Sequence, residues 1–174
     1  SWSTRGLATP LLFNSRVCII LEEGAKLEYL EQFESPDENL NSTNVVLQAS
    51  LKQDANLSHA RFQQEGEEAT LITRTEVSQF SDSKYSYFGF DLGGGLVRHD
   101  LHAELLEPGA KAAINGAYLL DGNRHVDNHS RVDHKAPGGV SDQYFRGVAG
   151  GRGRAVFNTA VCVHPGDRKS TRLN

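Results

Sequence analysis

The feature that most constrains the fold is a short turn motif that recurs along the chain. It reads LEEGAKL from Leu21, LKQDANL from Leu51, FSDSKYS from Phe80 and LEPGAKA from Leu106, at offsets of 30, 29 and 26 residues. Each copy has an apolar residue, two or three turn-forming residues, a small residue and a return to alternation. A nearly constant offset in this range is typical of a solenoid, in which each repeat stacks on the next.

The segments between these turns alternate in the manner of β-strands. LSHARFQ and LITRTEV combine β-branched, aromatic and alternating residues, and LVRHDLHAEL alternates over its full length. The last segment has an apolar face with Val97, His99, Leu101, Ala103 and Leu105, and a charged face with Arg98, Asp100, His102 and Glu104. Helix signals are scarce, since no segment keeps apolar residues at i, i+3, i+4 and i+7 for three turns.

The two patterns together predict an all-β chain folded as a parallel β-helix, in which strands pair between successive coils. Three short strands and their turns need roughly 20–30 residues, which fits the spacing of the motif. An antiparallel sandwich is the alternative, but it predicts no recurrence of the turn motif.

Composition excludes several function classes. A chain of 174 residues is long enough for one domain with its own core. Its net charge of −4 gives no reason to expect nucleic acid or an anionic membrane surface as a partner. The longest apolar run, VCIIL at 17–21, is too short to cross a bilayer. Cys18 and Cys162 each lie in an apolar run, which predicts reduced and buried side chains in a cytosol-like compartment.

A histidine-rich segment, NRHVDNHSRVDHKAPGG at 123–139, is the main candidate for chemistry. As a strand it places His125, Asp127, His129, Arg131 and Asp133 on one face, and Val126, Asn128, Ser130, Val132 and His134 on the other. The second face carries both valines, so we expect it to point inward. The first face is then a solvated polar surface with Asp–His and Asp–Arg pairs.

A metal site on the outward face is the alternative. His125 and His129 lie about 13 Å apart along a strand, so their rings barely reach one ion. Asp127 could share an ion with either histidine. A site built on His125, Asp127 and His129 would therefore need further ligands from neighbouring coils.

Other candidates give no self-contained active site. We expect His99 to be a hydrogen-bonded core residue, and the charged face with Arg98, Asp100 and His102 to be solvated or a contact with a partner subunit. The glycine clusters DLGGGL and GVAGGRGRAVF fit tight corners better than a phosphate-binding loop. No G-x-S-x-G segment occurs, and neither cysteine has an evident base nearby, so no catalytic residue is predicted.

Several of these segments, taken in order, resemble the core of the SufB/SufD family, the scaffold proteins of the SUF iron–sulfur cluster assembly system. The matching segments are LVRHDLHAEL, GAYLLDG, HVDNHSRVDHKAP, SDQYFRGV and GRAVFNT, with EEGAKLEYLEQF and DANLSHARFQQEG upstream. The resemblance covers about residues 8–166, and LVRHDLHAELLEPGA and HVDNHSRVDH are most similar to the SufD branch.

The resemblance implies a right-handed parallel β-helix and a non-catalytic scaffold. It further implies a SufB-like paralogue and a SufC-like ATPase as partners, in the cytoplasm or the plastid stroma. An iron–sulfur cluster would form transiently in the full complex, with no cofactor assigned to this chain itself. Two other functions stay open: a β-helix polysaccharide lyase or hydrolase, and a His/Asp metal-binding β-barrel.

The resemblance also implies that residues 1–166 are a β-helix fragment truncated at both ends. The family's Cys-Ser-His-Gly segment and its SufC-binding segment would follow Gly166, and its N-terminal helical region would precede the chain. Residues 167–174, DRKSTRLN, match one reading frame of a common sequencing adapter, so we expect them to be a non-native tail. Strand edges left unpaired at a truncated end predict poor solubility or self-association.

Overall fold

The computed structural model describes residues 11–35 and 40–164, which form eleven β-strands and no helix. The strands are β1 Leu11–Leu21, β2 Lys26–Glu34, β3 Asn41–Leu51, β4 Asn56–Gln64, β5 Thr70–Gln79, β6 Lys84–Asp91, β7 Leu96–Leu105, β8 Lys111–Leu120, β9 His125–His134, β10 Val140–Ala149 and β11 Arg154–Val163. No helix in this described part is long and apolar enough to span a membrane.

Successive strands alternate between two parallel sheets. Sheet A has six strands in the order β1-β3-β5-β7-β9-β11, and sheet B has five in the order β10-β8-β6-β4-β2. Every pairing is parallel and joins one coil to the next. The predicted parallel β-helix is therefore confirmed, as a solenoid of about five coils, and neither an antiparallel sandwich nor a closed barrel fits this topology.

Each coil contains two long strands, so the expectation of three short strands per coil is wrong. The strands are 8–11 residues long. In the described residues each coil has two corner segments rich in turn-forming residues, and two corners separate two strands. The spacing of the motif was consistent with either arrangement.

The recurring motif forms the corner where the chain passes from sheet A to sheet B. Gly24, Asp54, Asp82 and Gly109 have φ values of 69°, 57°, 57° and 78° at corresponding places in the turn. The corners stack through backbone hydrogen bonds, since Gly24 N donates to Gln53 O at 2.9 Å and Asp54 N donates to Ser81 O at 3.0 Å. Gly138, with φ of 77°, adds a fifth copy within HKAPGGV.

For the third copy of the motif, FSDSKYS, the sequence alignment is shifted by one residue relative to the stacking seen in the structure. Lys52 N donates to Leu21 O and Phe80 N donates to Leu51 O, both at 2.9 Å. Phe80 therefore stacks on Lys52 and not on Leu51, and Lys52 Nζ lies 4.2 Å from the centre of the Phe80 ring.

The glycine clusters form tight corners between strands, as predicted. These corners lie on the side of the solenoid opposite to the recurring motif. DLGGGL joins β6 to β7, and a Cβ atom on Gly93 or Gly95 would lie 2.2 Å from the carbonyl oxygen of Glu65 or Glu67. This close backbone approach, in which no side chain fits, explains the glycines.

The core fills the space between the two sheets. Its main cluster runs along the solenoid and includes Leu47, Leu51, Leu57, Tyr85, Leu101, Leu105, Ile114 and Val132. A second, smaller cluster comprises Leu71, Val97, Leu120 and Val126. Full burial of each such side chain contributes about 1.5–3 kcal/mol relative to exposure. Packing the interior in this way fixes which residues of each strand face outward.

The predicted faces of β7 and β9 are confirmed, since the residues expected inside are buried on both strands. One residue of the outward face departs from expectation, because Asp133 is only 4 % exposed. His102 and Arg131 cover it from the neighbouring positions.

The prediction that both cysteines are buried is wrong. Cys18 is exposed and Cys162 is partly buried. Alternation along a strand turns every second side chain outward, whatever the local hydropathy. Cys18 therefore points away from the core, between the inward-facing Val17 and Ile19.

Candidate metal-binding and partner-contact face

The outward side chains of β7 and β9 form a polar surface on sheet A, which we call the charged face. It consists of Arg98, Asp100, His102, Glu104, Asp127, His129, Arg131 and Asp133. The parallel register places Arg98 next to Asp127 and Asp100 next to His129. Cross-strand pairs of this kind stabilise a sheet by tenths of a kcal/mol, about 0.2–1 each.

Arg98 is the cationic centre of one half of the charged face. Its Nη2 lies 3.0 Å from Asp100 Oδ1, and its Nη1 lies 3.1 Å from Asp127 Oδ2. The hydrogen bonds to Asp100 raise the pKa of Arg98 above its ordinary value. The predicted Asp–Arg pairs of the polar surface are therefore present, and Arg98 stays partly open to solvent.

Asp133 is the centre of the other half. Arg131 Nε lies 2.9 Å from its Oδ1, and His102 Nε2 lies 3.0 Å from its Oδ2. Burial on its own would raise the pKa of Asp133, but the hydrogen bonds from Arg131 and His102 outweigh it and hold the pKa below its ordinary value. Asp133 is therefore an oriented carboxylate that stays ionised at neutral pH.

The three predicted metal candidates lie on one strand face but are only partly brought together. His129 Nε2 lies 2.7 Å from Asp127 Oδ1, and Asp127 is also paired with Arg98. His125 Nε2 and Asp127 Oδ1 are shielded from solvent and have no hydrogen-bond partner of good geometry within the described residues. Metal binding by His125, Asp127 and His129 stays a prediction.

Two other groups of ligand-type side chains converge on sheet A. In residues 11–35 and 40–164, the groups whose donor atoms all lie within 4.8 Å of one another are Asp133, Cys162 and His164, and His102, Glu104 and Asp133. Sequence reasoning missed the first group because it assigned Cys162 to the core and placed no base near it, whereas His164 Nε2 lies 3.8 Å from Cys162 Sγ. The available signal was the Cys-x-His spacing, which places both side chains on one face of an extended chain.

Sequence reasoning also missed a buried polar network inside the solenoid. Arg61 is 1 % exposed, and its Nη2 lies 2.7 Å from Asp91 Oδ1 while its Nε donates to Tyr87 Oη at 3.0 Å. Asn128 Nδ2 donates to the other Asp91 oxygen at 2.9 Å. Burial opposes the charge of Arg61, but Asp91 outweighs it, so the pKa of Arg61 is raised and the guanidinium stays charged.

His99 borders this network and is a hydrogen-bonded core residue, as predicted. Its Nδ1 lies 2.6 Å from Thr73 Oγ1, and its ring stacks on Tyr87 at a centroid distance of 5.4 Å. Burial, followed by the fields of Arg61 and His59, lowers the pKa of His99 well below its ordinary value. His99 is therefore neutral in the folded protein.

The outer face of sheet B is more apolar than the charged face. Leu30, Phe88 and Tyr144 lie in one row across the strands and are 62, 51 and 48 % exposed. A shallow depression of about 610 Å³ lies over this row between Leu30 and Asn115. The chain thus presents two outer faces of different chemistry.

Comparison with known proteins assigns the family. The family described as "SUF system FeS cluster assembly, SufBD core domain" matches residues 5–172. This chain belongs to the SufBD family. The family assignment, together with the parallel solenoid, confirms the resemblance that the ordered segments indicated. It also disfavours a polysaccharide lyase or hydrolase.

Three curated relatives match this SufBD core chain. It is 31 % identical over 153 residues to Protein ABCI7, chloroplastic, of Arabidopsis thaliana, an alignment that covers 87 % of the chain and 32 % of the relative. It is 24 % identical over 163 residues to the iron-sulfur cluster assembly SufBD family protein slr0076 of Synechocystis sp. (strain ATCC 27184 / PCC 6803 / Kazusa), which covers 89 % of the chain and 36 % of the relative. It is 24 % identical over 143 residues to the iron-sulfur cluster assembly protein SufD of Escherichia coli (strain K12), which covers 82 % of the chain and 34 % of the relative.

The chain spans about a third of the length of these relatives. No solved structure matches it significantly. The family match extends to residue 172, but residues 167–174 lie outside the described residues. Their assignment as a non-native tail stays a prediction.

Proposed function

We propose that this SufBD core chain is part of a SufD-type scaffold subunit of the SUF system. The subunit supports iron–sulfur cluster assembly together with a SufB-like paralogue and a SufC-like ATPase, and it has no catalytic step of its own. The observation that carries the proposal is the family match over residues 5–172 on a parallel β-solenoid. The SufD branch is supported by the match to SufD of Escherichia coli and by the two SufD-like segments at 96–110 and 125–134.

The architecture suits docking better than enclosure of a substrate. The two sheets present extended outer faces, and the charged side chains of sheet A are held in place by ion pairs between neighbouring strands. Preordered side chains lose little conformational entropy when a partner binds. We place the partner contact on the charged face, with Arg98, Asp100 and His102 at its centre.

The sources of the relatives support a proposal for the compartment. ABCI7 is chloroplastic by name, and the other two relatives are from bacteria. We propose the bacterial cytoplasm or the plastid stroma, in which the cluster is cargo passed through the complex and not a cofactor resident in this chain.

Co-purification of the full-length parent protein tests the proposal. A tagged parent expressed in its native cells should recover a SufB-like and a SufC-like protein in comparable amounts, as identified by mass spectrometry. The matched control is the same tag on an unrelated protein of similar size. Recovery of neither partner would overturn the proposal.

Complementation separates the two branches of the family. The parent gene is introduced into bacterial strains that lack either SufD or SufB, and the readout is the cluster content of a purified iron–sulfur enzyme. A SufD-type subunit restores the first strain and not the second. The reverse result would assign the parent to the SufB branch.

A further inference from the structure

Cys162, His164 and Asp133 converge at one point on the outer face of sheet A. The register places Cys162 directly beside Asp133 on the neighbouring strand. His164 follows Cys162 by two residues and therefore lies on the same side of the extended chain. Their ligand atoms all lie within 4.8 Å of one another. All three side chains lie on the outer side of sheet A, where Cys162 and His164 are partly buried and Asp133 is covered by His102 and Arg131.

The sulfur and nitrogen atoms are separated as in a coordinated pair. Cys162 Sγ lies 3.8 Å from His164 Nε2. Zinc binds thiolate sulfur at about 2.3 Å and imidazole nitrogen at about 2.0–2.1 Å, so a tetrahedral ion holds these two atoms about 3.5 Å apart. A small rotation of either side chain would bring the two atoms to that separation.

Asp133 has the support expected of a ligand carboxylate. Arg131 Nη2 donates to Oδ2 at 3.1 Å, in addition to the contact of Nε with Oδ1, and His102 Nε2 lies 3.0 Å from Oδ2. Neighbouring donors of this kind orient a ligating carboxylate, and their loss weakens metal affinity about 10–100-fold in known sites. The carboxylate is fixed in orientation and lies beside Cys162.

We propose that Cys162, His164 and Asp133 bind a thiophilic divalent cation of the Zn²⁺ and Fe²⁺ class. Thiolate, imidazole and carboxylate together select borderline transition metals, whereas Mg²⁺ and Ca²⁺ prefer oxygen ligands alone. The Cys162 thiol releases its proton to solvent when the ion binds. Three protein ligands leave one position for water or for a group on a partner. The site does not depend on the proposed function, since it belongs to this chain alone.

The second convergent group is a poorer site. His102, Glu104 and Asp133 provide no sulfur, and Glu104 forms an ion pair with Lys135. His102 and Asp133 are already bonded to each other. This group therefore supports the Cys162 site and does not compete with it. Asp133 belongs to both groups.

Cobalt substitution tests the site. The full chain is stripped of metal with a chelator, reduced, and titrated anaerobically with Co²⁺. We expect a near-ultraviolet thiolate-to-cobalt charge-transfer band and strong visible bands of a tetrahedral ion. Cys162→Ser should abolish the charge-transfer band, and His164→Ala and Asp133→Asn should weaken Co²⁺ binding more than about tenfold. Cys18→Ser is the matched control, because Cys18 lies on the exposed face of β1, and it should keep the band.

The same cobalt titration can contradict the proposed site. A wild-type chain without the band, or a Cys162→Ser variant that keeps it, would overturn the proposal. Loss of binding in His129→Ala with full binding in Cys162→Ser would instead assign the ion to the His125, Asp127 and His129 set.

A second measurement avoids substitutions, in case a variant does not fold. The wild-type chain is alkylated with iodoacetamide with and without Zn²⁺, and each cysteine is followed by peptide mass spectrometry. Zn²⁺ should slow labelling of Cys162 more than about tenfold, since a coordinated thiolate is a weaker nucleophile, and leave Cys18 unchanged. Equal labelling rates at Cys162 with and without Zn²⁺ would refute the site.

Discussion

Arg61 and Asp91 form an ion pair in the interior of the solenoid, with Arg61 Nη2 2.7 Å from Asp91 Oδ1 and both side chains no more than 2 % exposed. The two residues come from adjacent strands of sheet B, β4 and β6, but they are not register partners, since Arg61 lies opposite Gly89. Gly89 leaves room for the Tyr87 hydroxyl, which accepts a hydrogen bond from Arg61 Nε, and a Cβ atom there would lie 2.6 Å from Tyr87 Oη. The pair is thus a product of packing across coils.

The first prediction concerns this ion pair. Arg61→Met leaves Asp91 buried with a single neutral donor, Asn128, so we expect the free energy of unfolding to fall by about 3–5 kcal/mol. The double variant Arg61→Met with Asp91→Leu should lower the free energy of unfolding less than Arg61→Met alone, because no charge is left unpaired. Urea denaturation measures both. Arg74→Ala is the matched control, since its pair with Glu76 is exposed and we expect a change of no more than about 1 kcal/mol. Equal losses in Arg61→Met and the double variant would contradict the pairing.

The second prediction compares two glycines. Gly24 has a φ of 69° and open space around its Cα, so Gly24→Ala should cost only the backbone strain, about 1–2 kcal/mol. Gly93→Ala forces a Cβ atom to within 2.2 Å of the Glu65 carbonyl and must shift one corner against the next. We expect a clearly larger loss of stability at Gly93, measured by thermal or urea denaturation. A larger loss at Gly24 would show that the corners move apart more easily than the contact implies.

The third prediction is a pH dependence caused by His99. The unfolded chain binds a proton at His99 as the pH falls through the ordinary value of 6.5, whereas the lowered pKa keeps the folded ring neutral. The contribution of this group to stability is therefore fully present above pH 6.5 and is lost progressively below it. His99→Gln keeps a polar group near Thr73 and should flatten the decline in urea midpoint between about pH 7 and 5. His129→Gln, on the partly exposed charged face, is the comparison, and an equal flattening there would argue against the assignment to His99.

The fourth prediction tests the partner contact. Arg98→Glu removes the cation from the centre of the charged face and should weaken binding of the SufB-like partner about tenfold, or about 1.4 kcal/mol. Affinity is measured by calorimetry on the full-length parent. Arg146→Glu makes the same charge change on the outer face of sheet B, beside Tyr144, and should leave affinity unchanged. A loss confined to Arg146→Glu would move the contact to sheet B.

The fifth prediction concerns self-association of the 174-residue chain. Within the described residues β11 pairs with β9 on one side only, and Val156 and Phe157 are 36 and 39 % exposed. Unpaired strand edges recruit other strands, so we expect concentration-dependent oligomers in analytical ultracentrifugation. Val156→Lys should reduce association. Ile72→Lys is the matched control, because Ile72 lies in the same row of sheet A on a strand that is paired on both sides. This substitution should not change the association. A stable wild-type monomer would contradict the prediction.

Particular residues show which features could be predicted from the sequence and which could not. The alternation through β7 and β9 correctly separated Arg98, Asp100 and His102 from His99, because period-2 patterning is set by local geometry. The same alternation in β1 turns Cys18 outward. The prediction that Cys18 is buried relied on the local apolar run and was wrong. The number of strands in a coil was also misjudged, since a repeat length fixes the residues in a coil but not the corners that divide them.

The sequence by itself determined the repeat, the strands and the parallel stacking of coils, because these properties depend on spacing and alternation. It also contained the ordered segments whose resemblance indicated the family. Only the tertiary structure decided that Arg61 meets Asp91 in the interior, and that Asp133, Cys162 and His164 converge on sheet A. Such contacts join residues about 30 positions apart, and whether they form depends on corners of slightly different length, which set the register between coils.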